Sequence, residues 1–382
     1  MASIIVSGSM LRHPLAGNVA ACMQYVVGLH LLGHDVVYVE DKGWPESCYD
    51  PRTATVGDFP REGLALVRDL LRRNRVDVPV AWVDAEAGLV EGMVWPQLRE
   101  RLASASLLLD IGGVFGLEER TLAGCRALVD VEPLFTQTER FLGDADYDVH
   151  FSYGVNIGRP WCGVPTGGID WLPTVPPIVP QLWKAPPPSA DAPLTTVADW
   201  MAYRGAEHGG AWYGQDGAVE GLLELPARVG STLELALSGE SERVNARLNA
   251  AGWVLRDADE ITASLATYRS YIRRSQGEFS VAKPAYAATR SGWFSGRSAC
   301  YLAAGRPVIV QDTGQGEWLE TGLGVLTFDG AEGAARAVER VGRELRVQSL
   351  AARAVAREVF HYGVVLDRLL ERAMPRRLRA VA

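Results

Sequence analysis
The sequence predicts an α/β chain: two doubly wound domains facing each other across a cleft, with a terminal helix crossing back to the first domain. Three observations predict this. Short apolar strands alternate with helical segments from the first residues onward, the pattern of parallel βαβ units with right-handed crossovers. A proline-rich run then breaks the alternation, and a second alternating series follows it. The chain has 382 residues, long for one core and well suited to two.

The first strand is Ser3–Ser7 (Ser-Ile-Ile-Val-Ser), followed by a loop over 8–18 and an apolar, helix-compatible stretch over 19–32 that ends at Gly33. A second strand over 35–40 completes the opening βαβ unit. The G-x-G-x-x-G fingerprint is absent after the first strand, which disfavours a nicotinamide-dependent enzyme. Helices are expected over 59–74 and 95–104, and strands over 105–111, 126–131 and 149–153. Asp110, Asp130, Glu132 and His150 fall at or near strand ends, where open α/β sheets place ligands.

Eight of the 21 residues over 173–193 are proline, so the segment can form neither helix nor central strand and reads as a semi-rigid linker. The second series begins with a strand over 194–199 and a loop over 203–214 rich in glycine and aromatics. A helix over 215–228, a strand over 232–238, a helix over 240–250 and a short strand over 253–255 follow. Next comes a helix over 258–275, with Ile261, Leu265, Tyr268 and Ile272 spaced at three or four residues. Asp257-Ala258-Asp259 opens that helix and reads as a cap, not as a metal motif. A strand over 277–283 leads into the stretch that organises the chain, 291–314. There a loop punctuated by glycine and serine (291–296) runs into a helix (297–304) stopped at Gly305. Pro307 opens a buried strand over 308–310, and Asp312-Thr313-Gly314 is the turn at its end. A last strand over 324–329, a helix over 331–345 and a mostly helical end over 349–374 complete the order. The expected division is 1–180, 190–350 and a returning segment 351–382.

A helix N-terminus beside a strand end suits an anion, because free backbone N–H groups and the helix dipole both favour negative charge there. Ser295 and Ser298 add hydroxyls, and Arg297 adds a planar fork that matches phosphate oxygens. The expected ligand is a diphosphate. The competing reading is that Ser295 only caps the helix and Arg297 is solvated.

The run Arg-Ser-Ala-Cys-Tyr-Leu-Ala-Ala-Gly-Arg-Pro-Val-Ile over 297–309 resembles the nucleotide-sugar segment of GT-B glycosyltransferases, with the match strongest over 302–308. Retaining members carry two glutamates eight residues apart, where this chain has Gly292 and Cys300. The resemblance is therefore to a divergent, natural-product type. It implies two Rossmann-like domains, a nucleotide-diphosphate sugar as donor substrate, no other cofactor, no metal, and a small-molecule acceptor such as a secondary metabolite. It also implies roles. Lys283, Arg204, Ser295, Gly296, Arg297 and Ser298 would hold the donor diphosphate, and Asp312 and Thr313 would touch the donor sugar. His13 in the loop after the first strand would be the general base, with His150 as the competing catalytic histidine. Two further readings share the fold: a nucleotide-sugar 2-epimerase, and a non-catalytic partner of an active transferase.

The formal charge of −8 argues against nucleic acid as a partner. The five cysteines are scattered, without C-x-x-C or a His/Cys cluster, so no zinc site or disulfide framework is indicated. No basic leader with an apolar core and no run of ~18 apolar residues is seen, and a cytoplasmic protein without a membrane span is expected.

Overall fold
The computed structural model describes residues 1–139, 146–200, 206–208, 211–213 and 220–374. The first half contains β1 (Ser3–Ser7), α1 (Ala16–Leu31), β2 (Asp35–Asp41), the hairpin β3 (Cys48–Asp50) and β4 (Thr55–Gly57), and α2 (Arg61–Arg73). It continues with β5 (Val80–Asp84), β6 (Leu89–Glu91), α3 (Trp95–Ser104), β7 (Leu107–Ile111), β8 (Arg126–Asp130), α4 (Phe135–Glu139), β9 (Val149–Ser152) and β10 (Trp171–Pro173). Apart from the β3-β4 hairpin, its strands form one sheet in the order β10-β9-β8-β7-β1-β2-β5-β6, parallel except where β6 folds back on β5. The order reverses direction between β1 and β7, so their carboxyl ends flank a crevice.

The second half contains β11 (Leu194–Asp199), the hairpin β12 (Ala206–His208) and β13 (Ala211–Tyr213), β14 (Leu233–Ser238), α5 (Glu242–Ala250), β15 (Val254–Asp257), α6 (Ala258–Thr262), α7 (Leu265–Arg274), β16 (Gly277–Ser280), α8 (Pro284–Ala288), α9 (Gly296–Ala303), β17 (Val308–Gln311), β18 (Val325–Phe328), α10 (Gly330–Glu358) and α11 (Tyr362–Ala373). Its sheet is parallel in the order β15-β14-β11-β16-β17-β18, with the switch point between β11 and β16.

Several expectations are corrected. The helix expected over 215–228 is, over its described part, two 3-10 turns, Glu220–Leu222 and Leu225–Arg228; Pro226 lacks the N–H that a helix interior needs. The helix expected over 258–275 is two helices. The first stops at Thr262, and Ser264 caps the second by a reciprocal box with Thr267. Asp257 does cap α6, accepting from the Asp259 N–H at 2.8 Å. The helices expected over 331–345 and 349–374 divide elsewhere: α10 runs on through a single non-helical residue, Glu344, and the break falls at 359–361.

The linker and the returning segment meet. Ile178 donates to the Phe360 carbonyl at 2.6 Å and accepts from the Tyr362 N–H at 2.8 Å, a short parallel bridge just before α11. Nearby, Arg306 donates to the Pro186 carbonyl at 2.7 Å and Arg353 to the Ala185 carbonyl at 2.9 Å. α11 then packs on α1 of the first half. Gly28 makes room for it: a Cβ there would lie 2.7 Å from Leu366 and 2.9 Å from Tyr362. One continuous buried apolar cluster includes Met23 of α1, Tyr268 of α7, Ala299 of α9 and Leu369 of α11, so the two halves share a core.

Candidate active site
The two switch points open into one cleft of about 720 Å³. The N-terminal half contributes Ser9 after β1 and Gly112 after β7; the C-terminal half contributes Ala198 from β11 and Lys283 after β16. The N-terminus of α9 enters the wall with Ser295, Gly296 and Arg297. Ser295 is the N-cap, its hydroxyl accepting from the Arg297 N–H at 3.1 Å. Gly305, at φ +71°, ends α9 as expected.

Arg297 does not stand free. Its Nε donates to Glu278 Oε1 at 2.6 Å, Nη1 to the Val197 carbonyl at 2.8 Å, and Nη2 to Ser280 Oγ at 2.6 Å. Glu278 is fully buried, so its carboxylate needs this partner. Burial, the largest single influence, lowers the proton affinity of Arg297; the charge and hydrogen bond of Glu278, with Tyr268 and Tyr301, together outweigh it and the net shift is upward. Arg297 thus ties β11 to β16 while also lining the cleft, and it is not the solvated side chain of the alternative reading.

Lys283 lines the cleft and pairs across it with Glu132, which also accepts from the Tyr286 hydroxyl. Ser298 faces away from the cleft, into a small cavity of about 10 Å³ bordered by Ser280, Thr313 and Gln315. Its buried Oγ has no hydrogen-bond partner among the described residues. That volume is about the size of one water molecule. Thr313 donates to the Trp293 carbonyl at 2.7 Å, and Asp312 accepts from the Gly314 N–H at 2.8 Å. Both shape the loop behind α9 and neither forms the cleft wall. Arg204 lies outside the described residues.

His13 sits in the turn between Ser9 and Leu15, two residues that line the cleft, but is not itself part of the wall. Its ring centroid is 6.5 Å from that of Trp44. Burial and the neighbouring Arg12 guanidinium hold its pKa below 6.5, which favours the neutral imidazole. His150 lies within the strand expected over 149–153 but does not line the cleft. It is buried on β9, edge-on to Tyr147 at 5.9 Å and Trp171 at 5.5 Å, in the aromatic interior behind the sheet end. Among the described residues, no group of three or more His, Cys, Asp and Glu side chains gathers as it would around a metal ion. No described helix is long and apolar enough to cross a membrane.

No family model matches the sequence, and no curated protein matches it. Solved structures do. AviGT4, a glycosyltransferase involved in avilamycin A biosynthesis, superimposes with a TM-score of 0.57 at 13% identity, covering 100% of this chain and 99% of its own. HepE from Anabaena in complex with UDP and glucose gives 0.53 at 10% identity, covering 97% of this chain and 99% of its own. An α-glucosyltransferase in complex with UDP gives 0.57 at 9% identity, covering 98% of this chain and 100% of its own. The chain has the GT-B fold.

Within this GT-B frame, the two missing glutamates acquire a structural reason. Gly292 has φ +75°, and a Cβ there would lie 2.6 Å from the amide carbon of Asn156. Asn156 comes from the segment after β9. Its Nδ2 donates to the Arg290 carbonyl at 3.0 Å and the Gly314 carbonyl at 2.9 Å, stitching the two halves together. A glutamate at 292 has neither the backbone conformation nor the space. Cys300 does line the cleft, and burial raises its thiol pKa well above the ordinary value, so a neutral group stands there in place of a carboxylate. Nothing in the sequence marks Asn156 or Glu278; their partners lie far along the chain or in another element.

Proposed function
We propose that this chain is a glycosyltransferase that moves a sugar from a nucleotide-diphosphate sugar to a hydroxyl of a small-molecule acceptor such as a secondary metabolite, without a resident metal ion. The observation that carries the reading is the cleft into which both switch points and the α9 N-terminus open. The α9 dipole and Lys283, with Arg204 as a further cation, would meet the charge that develops on the leaving diphosphate. As the bond from the sugar's anomeric carbon to phosphate breaks, the acceptor oxygen bonds that carbon and its proton passes to neutral His13. UDP is the first donor nucleotide to try, because HepE and the α-glucosyltransferase are described with UDP.

Calorimetric titration with UDP, dTDP and GDP tests this reading, followed by transfer assays with and without chelator. Micromolar binding of at least one nucleotide is expected, and sugar transfer should survive the chelator. Failure of all three nucleotides would sink the proposal. One observation favours a second reading, a non-catalytic partner of an active transferase: both cations in the described cleft wall, Lys283 and Arg297, are already paired with carboxylates. Copurification of a second chain, with no nucleotide bound by this one alone, would favour it.

A further inference from the structure
Beside the cleft, one carboxylate of the N-terminal half meets two donors of the C-terminal half. Glu132 Oε2 accepts from Lys283 Nζ and from the Tyr286 hydroxyl. Both sides of this contact are built to hold it. Asp130 fixes the turn that carries Glu132: its Oδ1 accepts from the Glu132 N–H at 2.9 Å and from Thr136 Oγ1 at 2.6 Å. Its Oδ2 accepts from Gln137 Nε2 at 2.9 Å and Ser152 Oγ at 2.6 Å. On the facing side, the Trp293 ring lies 4.5 Å from that of Tyr286, and its indole N–H donates to the Val131 carbonyl at 3.1 Å. Lys283 Nζ is 5.0 Å from the ring centroids of Phe135 and Tyr286.

An ammonium and a phenol hydroxyl side by side bind a carboxylate or a phosphate oxygen equally well in kind. The two anions cannot share the place, since like charges at contact distance repel. We propose that Glu132 holds the place of the donor's phosphate on Lys283 and Tyr286, so that the nucleotide must displace it. Glu132 thereby sets donor affinity, and its displacement loosens the seam between the halves as the donor enters. This rests on the donor reading above.

The test is calorimetric titration of full-length wild type, Glu132→Gln, Lys283→Met and the double variant with UDP, dTDP and GDP, with a melting temperature for each. If Glu132 occupies Lys283 in about nine molecules of ten, apparent affinity is reduced about tenfold, and Glu132→Gln recovers that factor. Lys283→Met should weaken binding in both backgrounds. A purely structural Glu132 would change the melting temperature and leave the affinity alone. If wild type binds a nucleotide and Glu132→Gln binds it no more tightly, this proposal is overturned and the donor reading stands. If neither binds any of the three, both fall. Glu132→Ala, which cannot hold Lys283 at all, repeats the measurement should Glu132→Gln not fold.

Discussion

Removing the Arg297 guanidinium would strand Glu278, a carboxylate with no exposed surface. Arg297→Ala should therefore cost about 3 kcal/mol, the lower end for breaking a buried pair because Arg297 is itself 22% exposed. A fall in the urea midpoint checks this. Arg297→Lys should recover part of the loss, keeping the charge without the fork. Loss of nucleotide binding in Arg297→Ala is consequently no measure of a phosphate contact unless stability is read in parallel. At His13 the pKa lies below 6.5, lowered by burial and by Arg12. The unfolded chain takes up the proton first on acidification, so this group's contribution to stability is lost as pH falls from 6.5 through the folded value. If His13 is the base, kcat/KM should show an acid limb with its midpoint below 6.5, and His13→Ala should remove that limb along with most of the rate. The histidine after the first strand falls outside the cleft wall, whereas the capped helix start and the strand-end lysine of that wall were legible in the sequence. Their partners were not. Arg297 and Glu278 are nineteen residues apart, and Lys283 and Glu132 are 151 apart, and only the folded chain brings them together.

Among the elements, the central strands β1, β7, β8, β11 and β17 declare themselves by short apolar runs, as strands buried on both faces do. The three-residue strands β3, β4, β6, β10, β12 and β13 carry too few residues for any period to show. β5 is hidden differently: Pro79 interrupts the apolar run around it and disguises its start. The loop before α9 makes the sharpest prediction at this scale. Gly292→Ala places a Cβ at φ +75° and against Asn156. The left-handed backbone alone should cost about 1–2 kcal/mol. Displacement of Asn156 adds to that by releasing the Arg290 and Gly314 carbonyls. Thermal melting should show a lower transition temperature, and Gly292→Glu should be worse than Gly292→Ala. An equally stable Gly292→Glu variant would mean that neither the backbone at 292 nor Asn156 excludes a glutamate there.

For the whole molecule, the return of α11 to α1 depends on the absence of a side chain at Gly28. Gly28→Val should cost about 1–3 kcal/mol by overpacking and lift α11 from its seat. Limited proteolysis should then cut near residues 359–361, where the wild type resists. Those residues also bear on how the two halves move. The polypeptide passes between them twice, and the two passes are bonded to each other at Ile178. Two strands of cord tied together at one height leave little freedom to slide or separate. A rotation of one half against the other would displace the far lip of the cleft more than the segment at Ile178, so a label pair spanning that lip should change its distance on addition of UDP while a pair flanking Ile178 should not.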